Sequence, residues 1–502
     1  MPPLLGQPPP SSGTGAGTGA GDGDGSGGGS GRRGRQPQGG LGARFPFGRA
    51  PLWLLVIAVG SSLLRLFVQG ERPRRPDIAL VTFSTAHYDA YRRAIPEFER
   101  THHATVQVQL AGWASLQSRL QNAVLAGTDV PDLVEVFEGS LGFFTRGPTE
   151  DIGLTDLTPR LVRDGLIDRL VASRFSLWTA RGRIYAVPHD VHPVMLAYRR
   201  DLIERLGVDV SRLDTWDAFV AVGRRLTADL DGDGVDDRYM LNLPYDGSSG
   251  LVTLLLQDDG ALFDADGRVV FDSPKAAEVI TWYLHQTAGP RRIAYDAGDG
   301  QSLAKSISDG LVLFSIMPDW RSYLLETDLP RLAGKMALMP LPAWRTGGRR
   351  TSVWGGTGLI MMKQTKHPDL AWELAKFLYF DPADLGRRFL ATNIIPVLKD
   401  AWNLPELNQP NPYYSNQPVG RLYAALAGQT PEVHSSPVDA LAHTKLIEAF
   451  GRIREYYRAE GDETDGARRA LDARIHAELA RAAEYVSRMA ERGELLAAGA
   501  KR

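Results

Sequence analysis

Cysteine is missing from all 502 residues. Its absence excludes disulfides, thiolate metal sites, a cysteine nucleophile and a lipid-modified N-terminal cysteine. It leaves the compartment open, because large exported domains fold without disulfides. Charge imbalance is also missing: 57 Lys and Arg face 59 Asp and Glu, a formal net charge of −2. No field therefore argues for nucleic acid or an anionic membrane as partner. Enzyme signatures are absent too. There is no H-E-x-x-H, no G-x-S-x-G elbow and no phosphate-binding G-x-x-x-x-G-K-[ST] loop. The ten histidines are scattered, and His102-His103 reads as a solvated pair. A carboxylate pair for glycoside hydrolysis is defined by spatial separation, so sequence neither excludes it nor points to it.

The first 50 residues have little to bury. They are rich in Gly, Pro and Ser, with almost no apolar residue before Leu41, and read as a disordered tail. Gly23–Gly28 spells G-x-G-x-x-G but follows no strand and opens no helix, so it is no nucleotide site. Residues 51–70 read as a signal peptide or signal anchor. Leu52–Leu64 is uncharged and mostly apolar, Arg44 and Arg49 precede it, and Ala58-Val59-Gly60 resembles a small-residue cleavage site. Arg65, Arg72, Arg74 and Arg75 follow, so basic flanks do not orient the segment. Export is the expectation, with an uncleaved anchor at 52–68 as the alternative.

With 43% hydrophobic and 23% charged residues, the rest is ordinary globular sequence, and its length calls for more than one core. IALVTF (78–83) reads as a buried strand, and Tyr88, Tyr91, Ile95 and Phe98 then recur at helical spacing. Val106, Val108 and Leu110 alternate as a strand. Leu116, Leu120 and Val124 mark a helix closed by Gly127, and DLVEV (132–136) is a third strand. This alternation predicts a mostly parallel sheet, with ligands beyond the carboxyl ends of its strands. A second α/β region spans roughly 201–340. It includes a helix at 215–226 capped by Thr215, a helix at 276–286 and a strand at 312–317. Leu471, Ile475, Leu479, Ala482, Val486 and Met489 form one apolar helical face.

Two features invite chemistry. Residues 229–238, DLDGDGVDDR, open like a calcium loop: Asp229, Asp231 and Asp233 fall at positions 1, 3 and 5, and Gly234 at the turn. Val235 offers a carbonyl and Asp237 a ninth-position ligand, but Met240 stands where a bidentate Glu is wanted. The loop reads as a surface fastening, with structural calcium one option and a solvated turn the other. The second feature is tryptophan, ten in all, with Trp113, Trp320 and Trp354 in loops beside Gly, Pro or Asp. An indole face stacks on the C–H face of a sugar ring while carboxylates and amides take its hydroxyls.

Several stretches together resemble the extracellular solute-binding proteins of ABC importers, of the carbohydrate-binding class that includes maltose-binding protein. They are LVTFSTAHYDAYRRAIPEFER, LQSRLQNAVLAGTDVPDLVEV, GRIYAVPHDVHPVMLAYRRDLIERLGVD with TWDAFVAVGRRL, FSIMPDW, WGGTGLIMMKQTKHPDLAWELAKFL and NIIPVLKD, in the family's order. Met317-Pro318-Asp319 departs from the usual Gly-Pro before Trp320. The resemblance implies two α/β lobes with the ligand cleft between them, residues 77–192 with about 343–399 in one and about 193–342 with 400–495 in the other. It implies a monomer that delivers a sugar or oligosaccharide to ABC permease subunits by cleft closure, without catalysis. A membrane-tethered carbohydrate-active enzyme and a sensory binding protein are the alternatives. The ligand site it implies comprises Ser84, Thr85 and Glu138 at strand ends, His189, Asp190 and His192 in the crossing, Tyr245, Trp320 as the stacking face, and Trp354, Gly355 and Gly356.

Overall fold

The computed structural model describes residues 53–61, 75–113, 115–117, 119–120, 130–145 and 148–499. The chain divides into two compact units, Met1–Arg75 and Pro76–Arg502. In the first, residues 53–61 form an exposed helix. The tail at 1–50 and the remainder of segment 51–70 lie outside the described residues, as do Val124 and Gly127. No helix among the described residues is long and apolar enough to cross a membrane.

The second unit carries two five-stranded sheets. Its strands are β1 (Ile78–Thr82), β2 (Val106–Leu110), β3 (Leu133–Phe137), β4 (Ala186–Pro188), β5 (Val194–Arg199), β6 (Tyr239–Asn242), β7 (Ala294–Tyr295), β8 (Val312–Pro318), β9 (Met336–Pro340) and β10 (Thr357–Met361). The first sheet has the order β2-β1-β3-β10-β4, the second β9-β5-β8-β6-β7. Each is mostly parallel, as expected, with one strand against the rest: β10 in the first sheet and β5 in the second. β1 pairs in parallel with β2 and β3, whereas β10 runs antiparallel to β3 and β4. In the second sheet β8 is parallel to β6 and antiparallel to β5, which also pairs antiparallel with β9. The antiparallel pairs all involve strands that abut the segments passing between the sheets, where the chain enters from the opposite side. The expected two-lobed α/β architecture itself holds.

The helices used below are α1 (Thr85–His102), α2 (Trp216–Leu226), α3 (Ser249–Gln257), α4 (Pro274–Thr287), α5 (Asp319–Asp328), α6 (Pro368–Phe380), α7 (Pro382–Thr392), α8 (Asp439–Glu460) and α9 (Asp465–Gly499). Local chemistry starts them where expected. The Ser84 hydroxyl accepts the His87 N–H at 3.3 Å, and Thr215 accepts the Ala218 N–H at 3.3 Å, each satisfying an orphan donor of a first helical turn. Ala90, Tyr91, Ala94, Ile95 and Phe98 form the buried face of α1, and Leu471, Ile475, Leu479, Ala482 and Val486 that of α9.

One core joins the two sheets. It contains Leu133 and Leu359 from the first, Met195, Ala197, Met317 and Leu338 from the second, and Val191, Ile395 and Val397 beside them. A second core fills the other face of the second sheet under α2, α3, α4, α8 and α9. A third packs Trp178 and Leu177 on the other face of the first sheet. The continuous core ties the sheets together on one side and leaves a pocket on another.

Candidate functional site

The pocket forms where the end of β3 meets the starts of two helices of the other sheet. Glu138 follows β3 directly, and its N–H donates to the Gly356 carbonyl at 2.9 Å, continuing the β3–β10 ladder by one residue. Gly139 adopts φ +77°, which favours glycine, and a Cβ there would lie 2.3 Å from Asp439 Oδ2. Asp439 occupies the first turn of α8 and His443 the next. Leu177, Ser249, Leu262, Phe263, Trp354, Gly355 and His434 line the rest. The wall is thus an indole, several apolar side chains, two carboxylates and two imidazoles.

Burial governs the electrostatics. It pushes the Glu138 carboxyl up, an effect Arg174 partly offsets, and pushes Asp439 up to about 7. It also lowers His443, whose Nδ1 lies 2.8 Å from the Ser248 hydroxyl. Among the described residues neither pocket carboxylate has a side-chain hydrogen bond. The nearest basic side chain to Asp439 is His443, with Nε2 3.7 Å from Oδ2.

Behind the pocket lies a buried polar chain through the crossing segments. His192, at φ +56°, sets Nε2 3.2 Å from Asp190 Oδ2 and Nδ1 2.7 Å from Asp319 Oδ1. Burial opposes the imidazolium, but the two carboxylates outweigh it and hold the pKa at about 10. Asp190 also accepts the Thr357 N–H at 3.2 Å, and Asp319 the Ile395 N–H at 2.7 Å. Arg174 is fully buried and donates to the carbonyls of Asp190 at 3.2 Å and Gly355 at 2.9 Å. These bonds fasten five separated stretches of chain, at 174, 190–192, 319, 355–357 and 395, at one place.

Most of the residues expected at the site fall in these two assemblies, while Ser84, Thr85 and Tyr245 lie in neither. Glu138, Trp354 and Gly355 line the pocket. Gly356 backs it, a Cβ there lying 2.6 Å from Arg174 Nη2. His189, Asp190 and His192 are buried in the polar chain and bonded internally. Trp320 is half-buried, and its indole N–H donates to the Trp354 carbonyl at 3.0 Å, with the two rings edge to face at 6.4 Å. Ser84 caps α1, and Thr85 is exposed as its first residue. The Tyr245 ring is covered by the Arg454 guanidinium 3.6 Å from its centroid, and Tyr245 does not line the pocket. Arg174, Asp439 and His443 were missed. Only Asp439 had a local signal, its place after Ser435-Ser436-Pro437 at a helix start.

Among the described residues, two places group metal-ligand types. In the exposed loop, ligand atoms of Asp229, Asp231 and Asp233 lie within 4.8 Å of one another. Asp229 meanwhile accepts the N–H groups of Gly232 and Gly234 at 2.7 and 2.8 Å. Asp237 is outside this trio and accepts the Leu230 N–H at 2.8 Å, while Met240 is buried in β6. The second group, His87, Glu135 and His189, is buried. There Tyr379 donates to Glu135 at 2.7 Å, and the Arg388 guanidinium faces His189 Nε2 at 2.7 Å, which sets a cation beside the ring nitrogen a metal would use.

Comparison with known proteins gives the family and the fold. The family described as bacterial extracellular solute-binding protein matches residues 84–384. The chain belongs to that family. Membership places this solute-binding protein outside the cytoplasm. An arabinooligosaccharide-binding protein of Halalkalibacterium halodurans is 25% identical over 340 residues, covering 66% of this chain and 74% of that one. Its counterpart in Bacillus subtilis is 24% identical over 343 residues, 67% of this chain and 77% of that one. These relatives are named as binding proteins, not enzymes. The fold matches the sugar-binding protein MalE from Xanthomonas citri with a TM-score of 0.64 at 19% identity, over 80% of this chain and 97% of that one.

Proposed function

We propose that this solute-binding protein captures a saccharide or oligosaccharide and presents it, unaltered, to an ABC importer. The observation that carries the reading is the pocket between the sheets, where Trp354 and the carboxylates of Glu138 and Asp439 stand together. A sugar ring presents an apolar face to an indole and hydroxyl donors to carboxylates. Ligand contacts made from both sides of the pocket favour a closed over an open arrangement, and an importer that reads the closed form receives only loaded protein. The names of the arabinooligosaccharide-binding relatives support the same class of ligand. A thermal-shift screen of arabino-, malto- and galacto-oligosaccharides tests it, with mass spectrometry of the recovered ligand. Stabilisation with intact ligand is expected; conversion of the ligand, or no response to any saccharide, overturns it.

Two subsidiary parts belong to the same reading. Residues 52–68 direct export and serve as a signal peptide or a tether. Protease added to spheroplasts should then digest the 77–502 region, and full protection would count against export. The aspartate loop at 229–237 holds a structural calcium ion. Added calcium should raise the melting temperature by mass action and a chelator should reverse it, whereas identical melting in both conditions removes the ion from the account.

A further inference from the structure

The pocket lining contains two carboxylates and two histidines but neither lysine nor arginine. Widening the view to the buried polar chain behind it does not restore the balance. Glu138, Asp439, Asp190 and Asp319 contribute four carboxylates, against Arg174 and His192 as the cations. Asp190 and Asp319 have partners of their own: both hold His192, and each takes a backbone N–H. Arg174 donates to the carbonyls of Asp190 and Gly355, and its charge only partly offsets that of Glu138. Among the described residues, the two of these carboxylates without a side-chain hydrogen bond are the two that face the pocket. They approach from opposite sheets, Asp439 Oδ2 lying 2.3 Å from the place a Cβ on Gly139, next to Glu138, would take.

We infer that the ligand of this pocket is an amine-bearing saccharide, its ammonium group held between Glu138 and Asp439 and its ring against Trp354. The inference rests on the saccharide reading above and narrows it. A neutral sugar gives these carboxylates hydroxyl donors, yet on closure it leaves two like charges in a water-poor site. An ammonium group gives charge-assisted hydrogen bonds to both and cancels the excess. Burial already raises both groups, Asp439 to about 7, so the empty pocket tolerates the pair of charges poorly.

Titration calorimetry on the full chain decides it. Glucosamine, galactosamine and the β-1,4-linked glucosamine dimer are compared with glucose, galactose, cellobiose and the N-acetylated dimer. At pH 7.5 the amine should bind at least tenfold tighter than its matched hydroxyl and N-acetyl forms. The preference should shrink as Asp439 takes up a proton below about 7. Glu138, His434, His443 and, behind them, Arg174 are the other charged or titratable groups facing that carboxylate. Asp439→Asn and Glu138→Gln should each remove most of the preference. If either variant fails to fold, the pH and N-acetylation dependence of the unaltered protein still decides. Equal or tighter binding of neutral forms overturns the amine and leaves the saccharide reading standing. If the neutral oligosaccharide screen is also silent, both fall.

Discussion

At the scale of single residues, the two tryptophans of the crossing have different work. Trp354 lines the pocket, and Trp320 holds it in place through one N–H bond to its carbonyl and an edge-to-face ring contact. Trp354→Ala should cost about 1–3 kcal/mol of saccharide binding from lost apolar contact, roughly 5- to 150-fold in affinity. Trp320→Phe keeps a ring and loses the donor, so about 1 kcal/mol and roughly a fivefold loss are expected. Calorimetry with the saccharide of largest thermal shift ranks the two. The reverse order would make Trp320 the stacking face. Gly139 gives a second prediction. Gly139→Ala meets both the left-handed backbone and the Asp439 carboxylate, at about 1–2 kcal/mol for the backbone alone. It should lower the melting temperature, and adding Asp439→Gly should recover part of the loss. No recovery would mean that the contact with Asp439 is not what resists the methyl group.

Among elements, the crossing is fixed by charge as well as by packing. His192 sits between Asp190 and Asp319 with its pKa at about 10, against an ordinary 6.5. A histidine raised on folding contributes fully below pH 6.5, and the contribution disappears as pH rises through about 10. Burial works against the Asp190 carboxylate, but His192 and His189 outweigh it and hold it well below 3.8. Its contribution is therefore present above pH 3.8 and lost as pH falls through the lower folded value. The crossing is strongest between those limits, with Arg174 and Glu138 the other charges nearby. His192→Asn keeps a residue that tolerates positive φ but leaves the carboxylates unbridged, a loss of about 3–5 kcal/mol by analogy with other broken buried pairs. Unfolding followed from pH 6 to 10 should show a falling stability in the unaltered protein and a flatter profile in the variant. Parallel profiles would mean that His192 is not charged there. The strands β1, β2, β3 and β8 and the helices α1, α2, α4 and α9 were legible in the sequence, because burial imposes its period locally, as along Ala90–Phe98 and Leu471–Val486. Strand direction was less legible. β10 follows a long excursion through the second sheet, and nothing within TGLIM states from which side it returns.

Across the whole molecule, the pocket joins residues 138, 177, 249, 263, 354 and 439, which lie far apart along the chain. A reading along the sequence found Glu138 and Trp354 because each follows or precedes a strand. It missed Asp439 and Arg174, whose roles arise only when the lobes meet. The same meeting constrains how the molecule moves and unfolds. Val191, Met195, Met317, Ile395 and Val397 join the two sheets in one core, so neither sheet can lose its packing without exposing part of the other. None of the residues lining the pocket belongs to that shared core. Hinge motion about the shared core is therefore the low-cost change, and separation of the lobes is the costly one. Calorimetric unfolding of residues 77–502 should accordingly show one transition, and a saccharide at a hundred times its Kd should raise stability by about 2.7 kcal/mol without splitting it. Small-angle scattering on the same samples should show a smaller radius of gyration with ligand. Two transitions, of which the saccharide moves only one, would show that the shared core does not couple the lobes, and an unchanged radius would place the closed form already in the unliganded protein.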